Sequence, residues 1–129
     1  MKPELTYLLF SVLLTFVQVL IAAAAANQVV GLTTLAGNRE DVPAMTGFAG
    51  RARRAHLNMI ENMVLFSILV LVAVIANKTN ATTAMGALIF FWGRLIYAVI
   101  YLLGIPWLRT AAWFVSVIGM VMVAWPLFT

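Results

Sequence analysis

Four apolar runs, each about twenty residues long, constrain this chain more than any other feature. They lie at about 5–26, 57–76, 83–103 and 107–128. A hydrocarbon core of ~30 Å needs ~20 apolar residues per crossing helix, so each run is long enough to span a bilayer. None of them alternates with period two, and all are too long for barrel strands. The breaks between them read "AGNREDVPAMTG", "NKTNAT" and "GIP", which are rich in turn formers. Pro106 suits the first turn of a new helix. The prediction is an all-α, integral membrane four-helix bundle, one domain over residues 1–129, with helices at about 5–33, 47–77, 82–103 and 107–127. Composition agrees, because a chain that is 64% apolar and only 9% charged has more apolar surface than a soluble core of 129 residues can hide. The first run follows Lys2 and ends in an alanine tract, as a signal peptide does, but its apolar part exceeds the usual ~7–15 residues. It is expected to be retained.

The few polar residues exclude several chemistries. There are no cysteines, which removes disulfides, thiolate metal sites and cysteine nucleophiles. One histidine and four acidic residues leave little for a metal cage, so no metal is expected. The net charge of +4 comes from basic residues near membrane borders, where orientation accounts for it without a nucleic-acid partner. Arg39, Arg51, Arg53 and Arg54 cluster in or beside the first loop, and Arg109 follows the third, whereas the opposite side has only Lys2 and Lys78. The positive-inside rule then places loops one and three in the cytoplasm, and both termini and the "NKTNAT" turn on the other side. Because the rule counts basic residues, Glu40 and Asp41 do not reverse it.

Polar residues inside the spans point to a site. At 100° per residue, Arg51, Arg54, Asn58 and Glu61 share an arc of about 80°, with Glu61 ~10 Å deeper than Arg54. Arg53 and His56 point elsewhere, and the lone histidine is read as an interfacial residue. An ionised carboxylate at that depth would cost several kcal/mol facing lipid, so Glu61 is expected to face arginines in a protein-lined cleft; its bland reading is a buried structural ion pair with Arg94. In the third helix Arg94, Tyr97 and Tyr101 share an arc of about 60°. Arg109 opens the fourth helix at the same end, where it opposes the macrodipole. Convergence of these groups would make an anion site, since guanidinium forks suit carboxylates and tyrosine hydroxyls can donate to carboxylates or to a thiolate. The bland readings are topology anchors for the loop arginines, packing aromatics for the tyrosines, and interfacial belts for Trp92, Trp107, Trp113 and Trp125.

The segment "RARRAHLNMIEN" resembles the signature of the MAPEG family, the membrane-associated proteins in eicosanoid and glutathione metabolism. The shared pattern is Arg54, Asn58 and Glu61, with Arg51 one turn earlier. "GRLIYAVIYLLGIPWLRT" looks like the family's third-to-fourth helix junction, with Arg94, Tyr97, Tyr101 and Arg109 at matching places. The layout resembles a short bacterial-type member, which implies a bacterial inner membrane. The resemblance implies a homotrimer that binds glutathione as co-substrate in clefts between protomers, open to the cytoplasmic side and to lipid. It further implies that Arg51, Arg54, Asn58, Glu61, Arg94, Tyr97 and Tyr101 hold the tripeptide and that Arg109 sits near the sulfur as the catalytic group. Two departures stand out: Asn62 follows the motif glutamate where some members have an aromatic, and Tyr97 stands where one prostaglandin-forming branch has a histidine.

The function expected on that basis is a membrane-embedded, glutathione-dependent transferase or peroxidase acting on lipophilic electrophiles or lipid hydroperoxides. A cation near a thiol of pKa ~8.5 raises its thiolate fraction at neutral pH, and no protein nucleophile is needed. The alternatives on the same fold are a non-catalytic lipid-binding scaffold and an accessory subunit of a larger membrane complex. The expected partners are further copies of the chain, membrane lipid and a lipophilic small molecule.

Overall fold

The computed structural model of the chain describes residues 1–40 and 42–129. Asp41, one of the two acidic residues of the first loop, lies outside them. The element order is α1 (Pro3–Val30), α2 (Leu32–Ala36), α3 (Gly47–Ile75), α4 (Ala81–Leu103) and α5 (Pro106–Ala124), closed by a 3₁₀ turn over Trp125–Leu127. Four of these helices are long and apolar enough to cross a bilayer, and the chain is an integral, multi-pass membrane protein.

Local chemistry sets the boundaries. Pro3 opens α1, where its missing N–H costs nothing. The sequence puts the end of the first helix at about residue 33. The helix instead ends at Val30, because Gly31 adopts φ 85° and ψ 158°, a conformation outside both helical regions, before the short α2 begins. At the end of α3, Asn77 takes the left-handed conformation (φ 55°) and the Lys78 N–H donates to the Ala73 carbonyl at 2.9 Å, closing the helix end. Asn80 and Thr83 then form a reciprocal capping box at the start of α4. A left-handed turn at Gly104 ends α4, and Pro106 starts α5.

Two ends of the bundle are defined by contacts. At one, the Lys2 ammonium donates to Thr79 Oγ1 at 3.0 Å and Thr83 Oγ1 lies 2.5 Å from Glu4 Oε1. This joins the N-terminus to the α3–α4 turn. At the other, Arg51 Nε donates to the Leu102 carbonyl at 3.1 Å, which joins the start of α3 to the end of α4. The arginine-rich loop and the α4–α5 turn therefore share one end.

The helices α4 and α5 cross at small residues. A Cβ added to Gly119 would sit 2.5 Å from the Phe90 backbone nitrogen, and one on Gly86 would sit 2.6 Å from the Gly119 carbonyl oxygen. Only hydrogen fits at this crossing, and such close approach is how membrane helices gain packing energy without a hydrophobic drive between them. Phe66 and Phe90 stack in the same half of the molecule, with centroids 3.8 Å apart, among Val70, Ala87, Met120 and Val123. Outward-facing Leu9, Phe16, Val64, Ile68, Val115 and Ile118 are exposed, as a lipid-facing surface requires.

Candidate functional site

The seam that packs α3 into the bundle consists of Ala52, Ala55, Met59, Asn62, Phe66 and Val70, all buried. At 100° per residue their mean direction lies about 100° from that of Arg51, Arg54, Asn58 and Glu61. The polar stripe thus runs along a flank of α3 and not along its buried face. Arg51 and Asn58, nearest the seam, are half-buried, and Arg54 and Glu61 are exposed. α4 and α5 meet this flank with Tyr97, Ile100, Tyr101 and Ala112, which pack on Ala55.

Six of the expected residues come together here. Arg54 Nε donates to the Tyr101 hydroxyl oxygen at 3.2 Å. The Arg109 guanidinium lies over the Tyr101 ring, 4.4 Å from its centroid, and Arg94 lies over the Tyr97 ring at 4.1 Å. The two tyrosine rings meet edge to face at 5.6 Å. Arg51, bound to the Leu102 carbonyl, closes the end of the cluster. Because Arg54 uses an acceptor site on Tyr101, the phenol's own proton is left to donate elsewhere.

Asn58 and Glu61 are not drawn into that cluster. Asn58 accepts from Asn62, one turn further along α3. The Glu61–Arg94 ion pair, the bland reading of that carboxylate, does not form among the described residues. Glu61 is exposed, and Arg94 is fully buried, with Nε, Nη1 and Nη2 all lacking a hydrogen-bond partner among the described residues. The reason is rotational: Arg94 points into the bundle beneath Tyr97, whereas Glu61 is exposed on the outer part of the α3 flank. A buried guanidinium with only an aromatic face for company is costly, and the ring's quadrupole offsets part of that cost.

Two polar residues hold structural places that the sequence does not announce. Asn62 is buried in the α3 seam, and in the sequence it stands out only for its place after Glu61. Glu4 is also buried, held by Thr83. The Asn-x-x-Thr capping signal is legible in "NATT", but nothing in one sequence aims α1 at it.

The opposite flank of α3 faces α1 and is quite different. Two cavities lie along it, of 670 and 460 Å³, which share Val19 and His56. Their walls are mostly apolar, with Arg39, Arg53 and His56 at the loop end. His56 Nδ1 is buried there without a partner among the described residues. Among those residues, no three His, Asp or Glu side chains gather as a metal would require.

The fold and these two flanks define a multi-pass membrane bundle with a cationic, tyrosine-lined cluster at one end. The chain belongs to the MAPEG family, which it matches over residues 5–129. No curated protein and no solved structure matches it.

Proposed function

We propose that the protein is a glutathione-dependent transferase or peroxidase that acts on lipophilic electrophiles or lipid hydroperoxides within the membrane. The observation that carries this reading is the arrangement at Tyr101. Arg54 donates to the phenol oxygen, so the phenol proton is free, and the Arg109 guanidinium lies 4.4 Å from the same ring. A hydroxyl donor and a cation at one point suit a thiolate, and a nearby cation lowers a thiol's pKa from ~8.5 and raises its thiolate fraction at neutral pH. Arg109 is the catalytic residue in this reading. Arg51, Arg54, Asn58, Glu61, Tyr97 and Tyr101 hold the tripeptide. Arg94, buried behind Tyr97, acts through that ring. The thiol supplies the nucleophile that a chain without cysteine lacks.

Arg54 and Glu61 are exposed on a flank of a membrane helix, where ionised groups facing lipid are costly. Packing of neighbouring protomers over that flank, in the homotrimer the family implies, gives these groups a protein-lined setting. The positive-inside rule puts the arginine-bearing end in the cytoplasm, and a bacterial inner membrane is the matching location. The test is titration of glutathione into the purified protein with an ultraviolet difference spectrum for thiolate. Heat and a thiolate band are expected, and a folded protein that gives neither defeats the reading.

A second reading, a non-catalytic lipid-binding scaffold, is favoured by the α1–α3 cavities, whose apolar walls and basic rim suit an amphiphile with an anionic head. Lipid capture with no thiolate band would select it.

A further inference from the structure

Asn62 interrupts an otherwise apolar seam on α3, between Met59 and Phe66, and is itself only 8% exposed. A buried amide in such a place is costly unless it is hydrogen-bonded. Its Nδ2 lies 2.8 Å from the Asn58 backbone carbonyl oxygen and 3.2 Å from Asn58 Oδ1. These two distances fix the polarity of both amides. A backbone carbonyl can only accept, so the Asn62 atom facing it is the nitrogen. That nitrogen has a second proton, and its other neighbour must accept too, so the Asn58 atom beside it is the oxygen. The Asn58 NH₂ is thereby turned away from Asn62, with both donors free of it. Without this contact the terminal torsion of Asn58 is broad and two-fold, and the side chain could offer either oxygen or nitrogen.

We infer that Asn62 is a positioning residue: it locks the Asn58 amide so that the stripe presents donors at this point and takes a carbonyl or carboxylate oxygen of the ligand there. The inference rests on the reading of the stripe as a thiol-peptide site. It adds the device that sets one of the site's hydrogen-bond polarities. The spacing of four residues along one helix makes the device possible, and the seam position of Asn62 keeps water from competing for its donors.

The experiment is a double-mutant cycle read by calorimetric titration of glutathione and by turnover. N62L and N58A should each weaken binding about tenfold, the scale of one net hydrogen bond and its orientation. The double variant should be no weaker than N58A alone, because Asn62 acts only through Asn58. N62L should melt no lower than the wild type, since leucine suits the seam, and its kcat should stay within about twofold. Losses that add in the double variant, or wild-type affinity in N62L, would overturn the assignment. If the wild type takes up no glutathione, the functional reading fails, and side-chain amide exchange by NMR then decides this one. Slow exchange at Asn62 with fast exchange at Asn58 supports the lock, and the reverse pattern removes it.

Discussion

The two flanks of α3 are built from the same helix and use similar residue types, yet they solve different problems. On the α4–α5 side, arginine meets tyrosine at every step: Arg54 with the Tyr101 hydroxyl, Arg109 over the Tyr101 ring, and Arg94 over the Tyr97 ring. On the α1 side, Arg53 is exposed, His56 Nδ1 has no partner among the described residues, and the walls are mostly apolar. The hydroxyls on this side are spent locally: Thr15 Oγ1 donates to the Ser11 carbonyl at 2.7 Å and Ser67 Oγ to that of Met63 at 2.6 Å. A flank that fixes its charged groups in place can discriminate among ligands by hydrogen-bond geometry, because such groups are preorganised. A flank with free space and a loose basic rim can only sort by polarity and size. The comparison teaches that what matters is which helix faces the arginines, and not their number.

This contrast can be broken in four places. The largest effect is expected at the ordered flank: Arg54→Ala and Glu61→Ala should each weaken glutathione binding by about a hundredfold or more in a calorimetric titration, the scale of a charge-assisted hydrogen bond withdrawn from a bound ligand. Unchanged binding in both would dissolve the distinction between the flanks. Next, Arg109→Ala should lower turnover about a hundredfold while the dissociation constant moves less than about threefold, because a cation aimed at the reacting sulfur acts most strongly as charge develops. Equal loss of binding would make Arg109 a carboxylate clamp. Third, Ala23→Trp should fill the larger α1–α3 cavity and cut retention of a fluorescent anionic lipid about tenfold, with glutathione binding unaltered. Loss of both would show that the flanks form one site. Smallest is Arg53→Ala, which should leave glutathione affinity within about twofold, as expected of an exposed rim charge.

Much of this architecture is legible in the sequence because it depends on properties internal to each helix. Run length against bilayer thickness identifies the four spans, and the 100° step puts Arg94, Tyr97 and Tyr101 on one face of α4. The first loop is less legible. The expected helix to about residue 33 breaks at Gly31, whose backbone conformation no apolar count could reveal. Partnerships between helices fail more instructively. The stripe on α3 can be drawn from the sequence, but its angle to the buried seam cannot, and so the sequence leaves open whether Glu61 meets Arg94 in an ion pair. The burial of Glu4 escapes for the same reason. Its partner Thr83 is 79 residues away, and neither residue's own surroundings hint at the other.

The sequence by itself determined that this chain lives in a membrane, how many times it can cross, and which residues share a face of each helix. These follow from transfer free energy and from helix periodicity, both local. Only the tertiary structure decided the rotation of each helix about its axis. That rotation put the small residues Gly86 and Gly119 in contact, stacked Phe66 on Phe90, and left Arg94 under Tyr97 and Glu61 at the surface. It is set by the sum of many packing contacts along several helices at once, and no single segment contains it.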